Sequence, residues 1–366
     1  MRLYIIILYV VAAFLGRLEV VAKTPVADFG RIDRLVLRSD ALEADFTIDV
    51  WLPSDYSESG ERYPVLYMQD GQNLFDSESS FSSVAWEMDR VVTSLAESGK
   101  ITTTPVIVGI HNRGADGLRA NDYFPQKAID YIADEDRDKT SLWQNLGTRG
   151  ALGDEYARFI AEILKPVIDS HYNVSTDRES TVAMGSSMGA LMSLYLLCEY
   201  PNVFGASACL STHWVGSLSL NSDFSMNDDP VCARALLDYL DDNLPDMECH
   251  RLYMDQGSEG WDAGYIIYED MAREIVSGHN PPDGNFMTND VPGAGHNEWF
   301  WQQRVDVPLT FLYRAESSGA ESGVVVDPYF SVENFYFDMQ GRNCGSDPSV
   351  LSKGIYIYNH RKIIKR

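Results

Sequence analysis

Basic residues are scarce in this 366-residue sequence. Lysine and arginine together number 29, against 54 aspartates and glutamates, which gives a formal net charge of -25. A chain this acidic repels the phosphates of nucleic acids and of anionic membrane surfaces. We therefore exclude nucleic-acid binding. The hydrophobic fraction of 45% and the charged fraction of 23% are otherwise those of a globular protein with a sizeable core.

Cysteine is also rare, and its spacing argues against a structural zinc site. None of the five cysteines has the CxxC spacing of such sites, and we expect neither a metal nor an organic cofactor. Cys198 and Cys209 lie in apolar runs that predict buried thiols. Cys232 and Cys249 flank a short helical stretch, so they are the pair that we expect to form a disulfide in an exported chain.

Long apolar runs are missing except at the amino terminus. Residues 3–15 are almost all apolar, Arg2 precedes them and the small residues of Val20-Val21-Ala22 follow. The run is shorter than the ~20 residues that span a bilayer, which favours a cleavable signal peptide over a membrane anchor. We predict a signal peptide over residues 1–22, a mature chain from about Lys23, and therefore export.

Apolar strand-like runs then alternate with amphipathic helical ones. This alternation predicts an α/β fold with a mostly parallel central sheet and helices on both faces. The predicted strands are 34–38, 46–52, 64–68, 105–110, 181–184, 205–210, 251–255 and 286–291, of which the first two form an antiparallel pair. The predicted helices are 86–95, 156–168, 190–199, 266–276 and 298–313. The polar stretch 217–230 predicts a loop or lid.

The composition changes near residue 315 to glycine, serine, glutamate and valine. We interpret residues 23–314 as the main domain, 315–328 as a linker and 329–366 as a small β appendage. Within the appendage, residues 329–337 and 354–365 alternate apolar and polar side chains, as short strands do.

The main domain contains a GxSxG motif in Gly185-Ser186-Ser187-Met188-Gly189. The motif lies directly between a predicted strand and a predicted helix. A nucleophile elbow needs glycines on both sides of the serine, because the strand must turn sharply into the helix and pack closely against it. We therefore predict that Ser187 is a nucleophile and that the amide of Met188 donates to an oxyanion.

A serine hydroxyl needs a general base, and the chain has only seven histidines. His296 lies in a loop between a predicted strand and the final predicted helix, where it can reach back to the elbow, so it is our candidate base. His213 ends a predicted strand on the same side and, with Trp214, is expected to line the pocket. For the acid, residues 255–262 offer three carboxylates, and the residue pattern leaves the choice open among Asp255, Glu259 and Asp262.

A second oxyanion donor is expected in the loop after the third predicted strand. That loop is Asp70-Gly71-Gln72-Asn73-Leu74-Phe75. The amide of Gln72 or of Asn73 is the expected donor, and we place Asp70 and Asn73 on the substrate side. The alternative is a plain Asp-Gly turn without this role.

With these pieces in place, the sequence resembles the putative-esterase family of α/β-hydrolases, which includes feruloyl and acetyl xylan esterases, enterochelin esterases and S-formylglutathione hydrolases. The resemblance covers about residues 31–314. It is carried by YMQDGQNLFD, VIVGIHNRG, RANDYFPQKA, AMGSSMGALMSLY, CLSTHW, MDQGSEGWDA and PGAGHNEWFWQQR.

This resemblance implies an α/β-hydrolase fold with Ser187 as nucleophile and His296 as base. It favours Asp262 as the acid, because the aspartate is the steadier carboxylate of the corresponding family segment, and leaves Glu259 as the alternative. It also implies that Asn112, Arg119 and Tyr123 line the substrate pocket. Family membership does not fix the substrate, because one fold and triad serve many acyl groups.

The tail has a resemblance of its own. Residues 334–342 and 351–359, followed by a basic end, resemble the last part of the C-terminal sorting domain of Bacteroidetes type IX secretion. This implies export beyond the outer membrane and contact with the secretion machinery. The alternative is a β appendage without a sorting role, which would leave the protein in the periplasm.

The sequence thus predicts a secreted or cell-surface serine esterase that works through an acyl-enzyme, with acetyl or feruloyl decorations of polysaccharide as the expected substrates. One alternative is a hydrolase of siderophore esters. Another is a non-catalytic surface glycan-binding protein that has kept the fold.

Overall fold

The computed structural model describes residues 24–216, 221, 226–314, 336–338, 354–358 and 361–365. The predicted signal peptide, the predicted linker and most of the predicted lid 217–230 lie outside these residues. Among the residues that are described, no helix combines the length and the apolar character that crossing a bilayer requires.

An eight-stranded sheet forms the centre of the molecule. Its strands are β1 (Arg31–Ser39), β2 (Ala44–Leu52), β3 (Val65–Gln69), β4 (Val106–Ile110), β5 (Thr181–Ser186), β6 (Ala206–Leu210), β7 (Arg251–Gly257) and β8 (Phe286–Val291). Their order across the sheet is β1-β2-β4-β3-β5-β6-β7-β8. β1 pairs with β2, and β2 with β4, in antiparallel fashion, whereas all other pairs are parallel. The predicted fold class is confirmed.

The central strands are apolar along their whole length because both faces of the sheet are covered. Every residue of β3 and β4 is buried, whereas the edge strand β8 is mostly half-buried or exposed. Alternate side chains point to opposite faces. In β3, Val65 and Tyr67 pack into one apolar cluster, and Leu66 and Met68 into a second cluster on the other face.

Helices cover the two faces. They are α1 (Met88–Glu97), α2 (Arg119–Tyr123), α3 (Leu142–Leu146), α4 (Gly153–Arg158), α5 (Lys165–His171), α6 (Met188–Glu199), α7 (Pro230–Asn243), α8 (Asp262–Gly278), α9 (Glu298–Gln302) and α10 (Asp306–Tyr313). The π-helical segment Phe159–Leu164 joins α4 to α5. Side chains of α1 and α10 belong to one apolar cluster, and those of α4, α6, α7 and α8 to the other.

The prediction of one last helix over residues 298–313 was wrong in one respect, because the segment forms two helices. Pro308 is the third residue of α10. Proline has no amide hydrogen and is tolerated only in the first turn, where that hydrogen has no acceptor within the helix. A continuous helix from Glu298 would place Pro308 in its interior.

The disulfide expected between Cys232 and Cys249 was also wrong, because both are free thiols. Cys232 is buried in the first turn of α7, and Cys249 is exposed beyond the end of that 14-residue helix. A helix of this length separates its ends by about 20 Å, whereas a disulfide needs Cα atoms within about 7 Å. The buried thiols predicted at Cys198 and Cys209 are confirmed.

The tail contains strands β9 (Tyr336–Asp338), β10 (Gly354–Tyr358) and β11 (Arg361–Lys365). They form a separate antiparallel sheet in the order β11-β10-β9, with Gly354 opposite Lys365 and Tyr356 opposite Asp338. β10 and β11 fall within the predicted segment 354–365, and β9 overlaps the end of the predicted segment 329–337 and extends one residue beyond it.

The carboxyl ends of the parallel strands bring distant residues to one edge of the sheet. Met68 of β3 lies opposite Met184 of β5, and Leu210 of β6 opposite Asp255 of β7. The residues that follow β3, β5, β6, β7 and β8 therefore meet at this edge, where ligands bind in open α/β sheets.

Candidate active site

Ser187 occupies the sharp turn between β5 and α6. Its backbone has φ 56° and ψ -125°, which is a strained conformation for a residue with a side chain. Its amide donates to the carbonyl of Leu210 (2.9 Å), and its carbonyl accepts from the amide of His213 (3.3 Å). Strand β6 and the residues after it thus hold the strained turn in place.

The two glycines of the motif are required by close backbone contacts. A Cβ at Gly185 would lie 2.6 Å from the carbonyl carbon and oxygen of Gly189. A Cβ at Gly189 would lie 2.9 Å from the Cβ of Gln69. Both distances are shorter than van der Waals contact, so only glycine lets β5 turn this tightly into α6 beside β3.

The structure brings Ser187, His296 and Asp262 into one hydrogen-bonded chain. The Ser187 Oγ lies 2.7 Å from His296 Nε2, and His296 Nδ1 lies 2.6 Å from Asp262 Oδ1. Because a carboxylate can only accept, His296 carries its proton on Nδ1 and Nε2 accepts from the serine hydroxyl. The His296 side chain is 5% exposed and that of Asp262 is fully buried.

The loops that carry the acid and the base are tied to each other. The carbonyl of Ala294 accepts from the amides of Ser258 and Glu259, both at 2.9 Å. Gly257 allows this approach, because a Cβ there would lie 2.2 Å from the Ala294 oxygen. The distance between Asp262 and His296 is therefore fixed by backbone contacts as well as by their own hydrogen bond.

The other two candidate carboxylates do not face the imidazole. Asp255 is buried and pairs with Arg304, whose Nη2 and Nε lie 2.9 and 3.1 Å from its two oxygens. Glu259 is exposed. Burial raises the pKa of Asp262, but the imidazole of His296 and the guanidinium of Arg304 outweigh it, so the pKa lies below its ordinary value.

Gln72 lies in the short turn Gly71–Asn73 that follows β3. The amide of Asn73 donates to the carbonyl of Asp70 (2.9 Å), so this candidate oxyanion donor is already used. The amide of Gln72 comes before the first hydrogen-bonded amide of the turn, and the amide of Met188 is the first of α6. Neither has an acceptor within its own helical turn, so both are suited to receive an anion.

Four of the predicted substrate-side residues form a cluster beside the elbow. Arg119 donates to both oxygens of Asp70 (2.8 and 2.6 Å), and Asn112 donates to one of them (2.5 Å). The hydroxyl of Tyr123 accepts from the Asp70 amide (3.0 Å), and the Arg119 guanidinium lies 4.9 Å from the Tyr123 ring centre. Arg119 and Asn112 are half-buried, whereas Asp70 and Tyr123 are buried.

Asn73 is buried, and its side chain contacts protein at both ends. Its Nδ2 donates to Glu298 (3.2 Å), and its Oδ1 accepts from the amide of Phe81 (3.0 Å). It thereby joins the loop after β3 to the start of α9. Burial raises the pKa of Glu298.

His213 and Trp214 are both buried and contact one face of α8. His213 Nδ1 lies 2.7 Å from the hydroxyl of Tyr265, and Trp214 Nε1 donates to Glu269 (2.7 Å). Burial raises the pKa of Glu269 to about 7, against the opposing effects of Trp214 and Arg273. Both predicted pocket residues are therefore buried and packed against helix α8.

Sequence reasoning missed several side chains around the imidazole. Trp261, Tyr265 and Trp301 surround His296 with ring-centre distances of 5.6, 5.4 and 5.0 Å. Ser211 and Arg304, which lie on the far side of Asp262, were missed as well. Trp261 is next to Asp262 in the sequence, Tyr265 lies three residues after Asp262, and Trp301 lies five residues after His296. The aromatic residues near positions 261–265 and 299–301 were therefore the available signal.

The sheet, the elbow and the hydrogen-bonded serine, histidine and aspartate define the class: the chain has the α/β-hydrolase fold with the side-chain arrangement of a serine hydrolase. A family model described as "Putative esterase" matches residues 39–257, and the chain belongs to this family.

Two curated proteins of Bacillus subtilis (strain 168) are similar in sequence. "Uncharacterized protein YbbA" is 25% identical over 166 residues, which are 45% of this chain and 56% of that protein. "Uncharacterized protein YjcH" is 27% identical over 176 residues, or 48% and 59% respectively. The chain thus spans less than two thirds of the length of these relatives.

Solved structures share the fold at low sequence identity. A ferulic acid esterase matches with a TM-score of 0.56 and 18% identity, over 77% of this chain and 98% of that chain. The enterobactin esterase FES from Shigella flexneri matches at 0.55 and 15%, over 79% and 60%. The enterobactin hydrolase IroE in complex with DFP matches at 0.52 and 18%, over 79% and 97%.

Proposed function

We propose that the protein hydrolyses esters through an acyl-enzyme on Ser187, with His296 as general base and acid and Asp262 as the residue that orients His296. The observation that carries the proposal is the chain of hydrogen bonds from the Ser187 hydroxyl through both imidazole nitrogens to Asp262. Two short, well-directed bonds hold the imidazole in the tautomer that can accept the serine proton.

The reaction has two steps. In the first, Ser187 Oγ attacks the ester carbonyl while its proton passes to His296 Nε2, and the leaving alcohol then takes that proton as the bond to the acyl carbon breaks. In the second, water attacks the acyl-enzyme, gives its proton to His296, and Ser187 leaves as the hydroxyl. The amides of Gln72 and Met188 stabilise the oxyanion of each tetrahedral intermediate.

The nucleophile is tested by covalent labelling with a fluorophosphonate probe. We expect the wild-type protein to be labelled and Ser187→Ala to be unlabelled and inactive on p-nitrophenyl acetate. Ser186→Ala is the matched control, because it removes the neighbouring hydroxyl of the same motif, and it should label normally. Labelling of Ser187→Ala would contradict the assignment. If the wild-type protein reacts with the probe but, without the probe, does not hydrolyse p-nitrophenyl acetate, the result would favour the glycan-binding alternative.

As substrates we propose acetyl or feruloyl esters on polysaccharide. The proposal is supported by the fold shared with a ferulic acid esterase and by the half-buried Trp261 beside His296, against which a planar acyl group can stack. Siderophore esters are the second candidate, since two of the similar structures are enterobactin esterases or hydrolases. Acetylated xylan, methyl ferulate and enterobactin should be assayed side by side. The ester with the largest kcat/KM identifies the substrate class.

We further propose that residues 1–22 direct export and that residues 329–366 contact a type IX secretion machinery, so that the protein reaches the cell surface or medium. The support is the sequence pattern of both ends. The test is to express the full chain and a chain ending at residue 314 in a host that has this pathway. We expect the full chain outside the cell and the shortened chain in the periplasm. The same location for both would refute the role of the tail.

A further inference from the structure

Three buried polar side chains, those of Ser211, Arg304 and Asp255, lie on the side of Asp262 that faces away from His296. Asp262 Oδ2 accepts from the hydroxyl of Ser211 (2.7 Å), and Ser211 Oγ in turn accepts from Arg304 Nη2 (2.7 Å). Arg304 is paired with Asp255 through two hydrogen bonds. All four side chains are almost fully buried, with the Arg304 residue the most exposed at 4%.

The direction of these hydrogen bonds is fixed by chemistry. Arginine has only donors, so the contact with Arg304 uses a lone pair of the Ser211 oxygen. The indole Nε1 of Trp301 also has only a donor, and it contacts the same oxygen at 3.0 Å. With two donors on its oxygen, Ser211 must point its single proton at Asp262. A hydroxyl, which could otherwise rotate, is thereby committed to one acceptor.

The carboxylate of Asp262 is consequently held in one orientation. Its Oδ2 accepts from Ser211 and from the amide of Gly257 (2.8 Å), which leaves Oδ1 for His296. The Arg304 guanidinium of this pair acts on Asp262 in two ways: it orients Ser211, and its charge helps to lower the pKa of the Asp262 carboxyl.

Building on the proposed roles of Ser187, His296 and Asp262, we propose that Ser211 is a positioning residue for the acid and that the Arg304–Asp255 pair fixes the direction of its hydroxyl. Ser211 acts through Asp262 and does not itself touch substrate. It lies 51 residues before Asp262 in the sequence, directly after β6, and belongs to no motif that sequence reasoning assigned to the acid.

The consequence for catalysis is a shift in pH dependence. Without the Ser211 donor, the Asp262 carboxylate becomes more basic and holds the proton on His296 Nδ1 more strongly. The imidazole then becomes protonated at higher pH, where it cannot act as a base. Asp262 and its partners are surrounded by the ionisable groups of His296, Arg304, Asp255, Tyr253 and Tyr265. The Tyr253 hydroxyl donates to Asp255, and the Tyr265 ring packs against His296.

The test compares Ser211→Ala with a matched deletion, Ser193→Ala. Ser193 is equally buried, but its hydroxyl donates to the carbonyl of Gly189 within α6 and does not contact Asp262. Rates on p-nitrophenyl acetate are divided by active sites titrated with fluorophosphonate, so that misfolded protein does not count. A second variant, Asp255→Asn with Arg304→Gln, replaces the ion pair by a neutral pair and covers the case in which Ser211→Ala folds poorly.

We expect Ser211→Ala to lower kcat about 10-fold, the rate equivalent of one hydrogen bond to a charged group, with KM within about twofold. The acid limb of the kcat/KM profile should move up by about one pH unit. The neutral pair should move it in the same direction, and Ser193→Ala should leave the profile of the wild type.

Wild-type kcat and an unmoved acid limb in both Ser211→Ala and the neutral pair would overturn the inference, whatever their stability. That result leaves the proposed function intact if Ser187→Ala and Asp262→Asn are inactive. Activity retained in those two variants would instead refute the proposed function and this inference with it.

Discussion

The two sides of His296 are built differently. On the serine side, the position of the nucleophile follows mainly from backbone geometry: a strained Ser187, held by the carbonyl of Leu210, and two glycines that admit no side chain. On the aspartate side, the position of the acid follows from hydrogen bonds that its carboxylate accepts from the Ser211 hydroxyl and the Gly257 amide and, indirectly, from Arg304, which orients Ser211. The first arrangement is local and steric, and the second is distributed and electrostatic.

Because the two sides are built differently, we expect substitutions on the serine side and on the aspartate side to have different effects. Alterations on the steric side are expected to act mainly on folding, because a clash with backbone cannot be relieved nearby. On the electrostatic side, we expect a substitution of Asp262 to reduce activity with little loss of stability. A substitution of Asp255 should instead reduce stability more than activity.

The largest effect is expected for Asp262→Asn. The amide cannot hold the proton on His296 Nδ1 in the required tautomer, so kcat should fall by about four orders of magnitude while the fold is kept. Steady-state kinetics with p-nitrophenyl acetate measure the loss, and circular dichroism checks the fold. Asp241→Asn is the control, because Asp241 also contacts a histidine, His279 at 3.0 Å, but at the surface. Comparable losses in both variants would contradict the role of Asp262.

Asp255→Asn should reduce stability more than it reduces activity. It leaves the buried guanidinium of Arg304 without its anion, which costs about 3–5 kcal/mol of unfolding free energy. Urea unfolding measures this loss, and we expect the neutral pair with Arg304→Gln to recover part of it. Activity per titrated site should fall far less than for Asp262→Asn. If the stability of Asp255→Asn equals that of the wild type, the ion pair is not what holds this region together.

Gly185→Ala examines the steric side. The added methyl group meets the backbone of Gly189 at 2.6 Å, and overpacking of this kind costs about 1–3 kcal/mol. Gly264→Ala is the matched control: a Cβ there meets nothing within 4 Å, and in helix α8 alanine should stabilise by up to about 1 kcal/mol. The melting temperature should therefore fall for Gly185→Ala and rise for Gly264→Ala. A rise in the melting temperature of Gly185→Ala would show that the turn is looser than described.

The smallest effect is expected for Glu269→Gln, which lies beside Trp214 on the electrostatic side. The folded-state pKa of about 7 lies above the ordinary value of 4.5, so the folded state binds the proton more tightly than the unfolded state. This contribution to stability is complete below about pH 4.5 and is lost as the pH rises to about 7. The variant should flatten the decline of unfolding free energy in that interval, as calorimetry at pH 5 and pH 8 can detect. An unchanged slope would show that Glu269 does not titrate there.

The same contrast explains what could be predicted from the sequence. The elbow was recognisable because its requirements are met within Gly185–Gly189, and the buried strands because both faces of the sheet are covered. The acid was left open among Asp255, Glu259 and Asp262, because its identity depends on Arg304 and Ser211, which are distant in sequence. The helix break near Pro308 had a local signal in the proline itself. The incorrect disulfide arose because spacing along the chain ignores the length of the helix between the two cysteines.

The shared carbonyl of Ala294 has a practical consequence for redesign. Because the acid-bearing and base-bearing loops are hydrogen-bonded at this one acceptor, we expect them to move together. Helix α2 and the loop that carries Phe81 belong to other segments of the chain, and they contact the loop after β3 through Asp70 and Asn73. Substitutions in those two segments should therefore leave the backbone contact between the acid-bearing and base-bearing loops intact.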